Sequence, residues 1–215
     1  MRTVFLLPIL VPLLALGGCI TLLPEPPPPP RTYVLEAQSV ERLQGAPIDA
    51  VIGVSAPGGE RSFLGQDLIW RTGDTIAYVD GSAWSGRAAD SLQQMLVETM
   101  IRQGRFRAAT RSGEARADYE IRWEVLDFEV REETMTARFT AEVRLVAQGR
   151  RIIASEIITA EASVSDRSSS IASNALARAA REGSARIGMF AADAAALAQA
   201  SDAEDDQARA ASINR

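Results

Sequence analysis

"YEIRWEVLDFEVREETMTARFTAEVRL" runs from Tyr119 to Leu145, and its periodicity decides the fold. Tyr119, Ile121, Trp123 and Val125 alternate with Glu120, Arg122 and Glu124. The phase slips at Leu126 and resumes with Phe128 and Val130 against Asp127 and Glu129. A period of two reads as a strand with one apolar and one polar face, and a one-residue slip inside it predicts a bulge. Met135, Ala137, Phe139, Ala141, Val143 and Leu145 continue the alternation on a second strand. Gln148-Gly149-Arg150 turns the chain into a third, Arg151 to Ser163, of poorer phase. Three consecutive strands with short turns predict an antiparallel meander, one face buried and one wet.

Downstream, Ser168 to Gln199 reads as a long helix. Ala172, Leu176, Ala179, Gly183, Ile187, Phe190, Ala194 and Leu197 recur at threes and fours along one face. That face is mostly Ala and Gly, which permits close approach to a sheet. Residues 200–215 are polar, acidic and aperiodic, and are expected to be a disordered tail. Upstream, Thr32–Ala37 and Ala50–Ser55 read as strands, and "APGGERSFLG" as a loop without the Lys of a phosphate-binding motif. "DLIWRT" and "TIAYVD" flank Gly73-Asp74, a hairpin signal. Arg87 to Gln103 reads as a helix with Ser85 as its cap and Gly104 as its stop, followed by a short strand from Phe106 to Thr110. The expectation is an α/β (α+β) domain, a mainly antiparallel sheet packed against two main helices.

The N-terminus carries a different signal. A basic start, Met1-Arg2, precedes an apolar run, Val4 to Leu16, interrupted by Pro8 and Pro12. It is shorter than the ~20 residues of a membrane span and suits the core of a secretion signal. Leu16-Gly17-Gly18-Cys19 resembles the lipobox of bacterial lipoproteins, which implies a diacylglyceryl thioether on Cys19, cleavage after Gly18 and acylation of the new N-terminus. Several acyl chains anchor stably where one does not. Ile20 follows the Cys, not Asp, which under the best-known sorting rule implies the outer membrane. Pro24 and Pro26 to Pro30 favour polyproline II, so Ile20 to Arg31 could hold a domain up to roughly 35 Å from the lipid at ~3.1 Å per residue. The expected organisation is a leader (1–18), a lipidated Cys with a Pro-rich tether (19–31), one domain (32–199) and the tail (200–215).

Composition narrows the chemistry. Net charge is −5, every basic residue is Arg, and these are interleaved with acids, so no stripe serves nucleic acid. Histidine is absent, which removes the commonest general base and metal ligand. Cys19 has no partner for a disulfide, and no G-x-S-x-G occurs. Glu132 and Glu133, at a hairpin tip, read as solvated turn acids in preference to a catalytic pair. The expectation is a binding protein, not an enzyme, with no cofactor or metal. Trp70, Tyr78 and Trp84 are the candidate patch, for ligand stacking or for packing.

With these residues laid out, the chain resembles the ABC-type transport auxiliary lipoproteins, which accompany mammalian-cell-entry (MCE) lipid-transport systems of diderm bacteria. The carrying features are Cys19 with its lipobox, "TYVLEA", and "TIAYVDGSAWSGRAADSLQQMLVETMIRQGRF". There Tyr78, Trp84, Leu92, Leu96, Gly104 and Phe106 fall where the family tends to show a Tyr, a Trp, helix leucines and a Gly-x-aromatic exit. Ala83 stands where a basic residue commonly precedes that Trp. The resemblance implies a compact domain held at the outer membrane from the periplasmic side, docking on an MCE-domain protein of an inner-membrane ABC transporter, and in some relatives a homo-oligomer. It carries over no catalytic residue. The alternative reading of the same anchor is an assembly lipoprotein for lipopolysaccharide or outer-membrane-protein insertion.

Overall fold

A computed structural model describes residues 29–213. Cys19, its flanking Leu16, Gly17 and Gly18, and most of the proline tether lie outside the described residues.

The strands are β1 (Arg31–Tyr33), β2 (Ile48–Val54), β3 (Gly58–Gly59), β4 (Asp67–Thr72), β5 (Thr75–Trp84), β6 (Phe106–Arg111), β7 (Tyr119–Arg131), β8 (Thr136–Ala147) and β9 (Ile152–Ser163). The helices are α1 (Arg61–Leu64), α2 (Ala88–Gln103) and α3 (Ser169–Ile213). The meander forms as its alternation requires: β7 pairs antiparallel with β8 from Tyr119↔Ala147 to Arg131↔Thr136, and β8 with β9. The register shifts between Val125 and Asp127, where Leu126 breaks the phase. A bulge at Leu126 keeps Val125 and Phe128 on the buried face.

The other edge of β7 is shared. β2, β3 and β4 pair with it in parallel at successive positions, β6 pairs parallel with β2, and β1 with β5, while β4 and β5 form the expected hairpin. The long ladders are antiparallel as expected; the parallel ones are short additions between segments distant in sequence. The loop expected at "APGGERSFLG" holds β3 and α1, which carries Phe63 and Leu64 into the core.

α3 lies over the apolar face of the meander, and α2 lies beside it, over β2 and β6 and against α3. Ile121, Trp123, Val125, Phe128 and Val130 of β7 and Ala137, Phe139, Ala141, Val143 and Leu145 of β8 are buried there with Leu92, Leu96 and Met100 of α2. Trp123 donates its indole N–H to the Ser55 carbonyl at 2.9 Å, so its polar atom is satisfied in the core. Gly104 takes the left-handed conformation (φ 66°) that closes α2, and its N–H reaches the Met100 carbonyl. The start of α2 differs from expectation. Arg87, not Ser85, is the N-cap residue, and no side chain caps it. The Ala88 N–H donates instead to the Gly65 carbonyl at 2.7 Å, so the preceding chain supplies what a cap would.

α3 approaches β8 closely. A Cβ built at Gly183 would collide with Cδ1 and Cε1 of the Phe139 ring. Two expectations for α3 are corrected. Leu197 is 72% exposed, because it lies beside the open edge of β9, where no further strand among the described residues covers it. Residues 200–213, expected as a disordered tail, are helical. Ala203, Ala208, Ala210 and Ala211 are strong helix formers, and extending a packed helix avoids the cost of nucleation. β1 is shorter than its predicted span: only Arg31–Tyr33 pair with β5, and Leu35 turns into the core.

Candidate functional site

Trp70, Tyr78 and Trp84 all lie on the β4–β5 hairpin, yet they do not converge. Trp84 is 1% exposed and stacks on Phe128, ring centroids 5.8 Å apart; it is core. In the hairpin Ile69 faces Tyr78 and Trp70 faces Ala77, so Trp70 and Tyr78 project from opposite sides of the ribbon. Trp70 is half-buried against the core, while Tyr78 is 56% exposed.

The hairpin is held by charge. Glu129 is fully buried and accepts from Arg71 Nε at 2.8 Å and from Arg131 Nε at 3.2 Å. The bond to Glu129 raises the Arg71 guanidinium above its ordinary value. Glu132 accepts from the Thr72 hydroxyl and pairs with Arg167, and Glu133 accepts from the Gly73 N–H. That backbone donor draws the Glu133 carboxyl below the usual range. Glu132 and Glu133 are thus fasteners between the β4–β5 turn and the β7–β8 turn. The sequence marks them as exposed turn acids and gives no sign of this role.

The described chain enters beside this hairpin. β1 lies along β5, the Ser85 N–H donates to the Tyr33 carbonyl at 2.8 Å, and the Tyr33 hydroxyl lies 3.0 Å from that of Ser169 at the start of α3. Arg31 to Tyr33 are thus pinned to both the sheet and α3.

A model of the ABC-type transport auxiliary lipoprotein component family matches residues 33–188. The chain belongs to that family. The auxiliary-lipoprotein match begins two residues after Arg31 and takes in every strand after β1, α1, α2 and α3 as far as Gly188. Protein XCC0632 from Xanthomonas campestris shares the fold at a TM-score of 0.73 and 18% identity, over 79% of this chain and 98% of that one. A crystal structure of an uncharacterized protein aligns at a TM-score of 0.62 and 14% identity, over 76% and 99%. The PelC dodecamer from Paraburkholderia phytofirmans aligns at only 0.37 and 15%, over 68% and 95%. No curated protein sequence matches. As a member of this family the protein is a lipoprotein, and so membrane-anchored.

The auxiliary lipoprotein has a further feature that sequence reasoning did not find. Among the described residues β9 pairs only with β8, and along its other edge it forms a groove with α3. One cleft of about 500 Å³ runs from Arg151 to Asp202, and a second of about 370 Å³ adjoins it between Ile157 and Met189. Glu156, Phe190 and Asp193 line both. The poor phase of β9 and the outlying Leu197 were the available signals. Among the described residues no helix is long and apolar enough to cross a membrane, and no group of His, Cys, Asp and Glu is placed to hold a metal.

Proposed function

We propose that the protein is the outer-membrane lipoprotein adaptor of an MCE-type intermembrane lipid transport system, acting from the periplasmic face by binding and not by catalysis. The observation that carries this reading is the auxiliary-lipoprotein match over residues 33–188, placed directly behind a lipobox and a proline tether. The family description supplies the association with an ABC transporter. Acyl chains on Cys19 hold the domain at the membrane, and the tether confines it to a shell of tens of ångströms, which raises its effective concentration at a partner arriving from the inner membrane.

The test is copurification from membranes crosslinked in vivo. An MCE-domain protein is expected among the partners, and loss of the gene is expected to sensitise cells to detergents or organic solvents. Recovery of an outer-membrane insertion machine with no MCE protein overturns the proposal.

A further inference from the structure

The geometry points to the groove between β9 and α3 as the docking site for an amphipathic helix of a partner protein, one with an apolar face and Lys or Arg near its middle. Of the large apolar side chains exposed among the described residues, Ile152, Met189 and Leu197 border this groove, and Ile153 and Phe190 are half-buried in its lining, while Ile157, paired with Glu142, turns to the other face of the sheet. Apolar surface gathered in one concave strip marks an interaction site, where scattered residues would not.

Charge selects the occupant. The cations at the ends of the groove are engaged: Arg151 lies 3.9 Å from Asp202, and Arg186 bonds Glu182 at 2.8 Å and the Thr159 carbonyl at 2.9 Å. Glu156 on the strand wall and Asp193 on the helix wall make no side-chain hydrogen bond or ion pair among the described residues. Two free carboxylates facing one apolar trough complement a cation carried on an apolar surface.

Shape selects a helix over a strand. Glu156 sits opposite Val143, which turns its charge to the helix side of the edge strand, and the β8–β9 register shifts beside Ile152. Inward charges and bulges are devices that block addition of another strand. Ile152 to Thr159 spans about 26 Å at ~3.3 Å per residue, which an α-helix of about 17 residues covers at 1.5 Å each. The strand wall and Arg186 lie within the residues that match the family, and the helix wall from Met189 onward lies beyond them. The site stands independently of whether the partner in transport is an MCE protein, and failure of either experiment leaves the other's result intact.

The probe is a labelled peptide of about 18 residues with Leu at i, i+3, i+4 and i+7 spacing and Lys elsewhere. Its twin carries Glu for Lys. Anisotropy is measured against the chain from residue 19 onward with Cys19→Ser, which keeps every described residue. The Lys peptide is expected to bind saturably at one site and to weaken as salt is added. Glu156→Gln with Asp193→Asn should weaken it about tenfold, as should Ile152→Ser with Leu197→Ser. Asp74→Asn with Glu41→Gln, away from the groove, should change nothing. All of these substitutions are at exposed positions, so unchanged melting temperatures certify the folds. The proposal is overturned if the Lys peptide does not bind, if the Glu twin binds equally, or if the distant pair weakens binding as much as the groove pair. It is also overturned if Ile152→Ser with Leu197→Ser instead abolishes self-association or binding to phosphatidylcholine vesicles, which would assign the groove to a second copy or to lipid.

Discussion

Gly183→Ala places helix propensity and packing in direct opposition. In a helix interior Ala is favoured over Gly by about 1 kcal/mol, so a helix considered alone would gain from the change. Gly183 is buried, and the added methyl would meet the edge of the Phe139 ring. That ring is fully buried, edge-on to Phe128 at 6.2 Å and tilted against Trp123 at 6.4 Å, so it has no free direction in which to yield. Overpacking of a rigid core costs about 1–3 kcal/mol, and here the upper end applies. The net expectation is a loss of about 2 kcal/mol, or about 4–8 °C in melting temperature for a domain of this size. Urea midpoints measure it, with two companions. Phe139→Leu removes the ring edge, so in that background Gly183→Ala should cost at least 1 kcal/mol less, roughly the coupling expected of neighbours. Gly188→Ala meets the amide of Gln103, the far end of a flexible side chain whose Nε2 donates to Ala185 O at 2.8 Å. It should be near neutral, since losing that bond costs about as much as the propensity returns. A Gly183→Ala protein about 1 kcal/mol more stable than the parent would refute the close approach of α3 to β8.

Trp123→Ala empties a core position and strands the Ser55 carbonyl, and should cost ~3–5 kcal/mol, whereas deleting residues 203–215, exposed wherever described, should leave the denaturant midpoint unchanged. Cys19→Ser should yield an unprocessed or soluble product; unchanged membrane retention, or labelled palmitate in the variant, would refute the anchor. Glu133 and Asp166 are both held below their ordinary values of 4.5 and 3.8, by the N–H groups of Gly73 and Ser168. Groups depressed in the folded state stabilise it above the unfolded value and lose that effect as pH falls through the folded one. Stability should therefore decline as pH drops below about 4.5, and Glu133→Gln should flatten the upper part of that decline in acid titrations followed by circular dichroism.

Local pattern alone determined the meander, the bulge at Leu126, α2 with its Gly104 stop, and the small-residue face of α3. Each of these depends on a side chain's position relative to its own strand or helix, and a period of 2 or 3.6 records that directly. The parallel ladders of β1, β2, β3, β4 and β6 were not legible, because a strand of a few residues says nothing of which distant segment will lie beside it. Nor were the fates of the aromatics: Trp84 and Tyr78 lie in one strand, but only the position of Phe128 and the limit of the hairpin make one core and the other surface. Glu129 read as a solvent-facing acid until Arg71 arrived from another strand to bury it. Leu197 fits the helical period of the buried face and is exposed, because periodicity fixes the direction of a side chain and not where the sheet beneath it ends. The groove along β9 exists for that same reason: β9 is the edge strand among the described residues, and α3 overhangs that open edge with part of its apolar face uncovered.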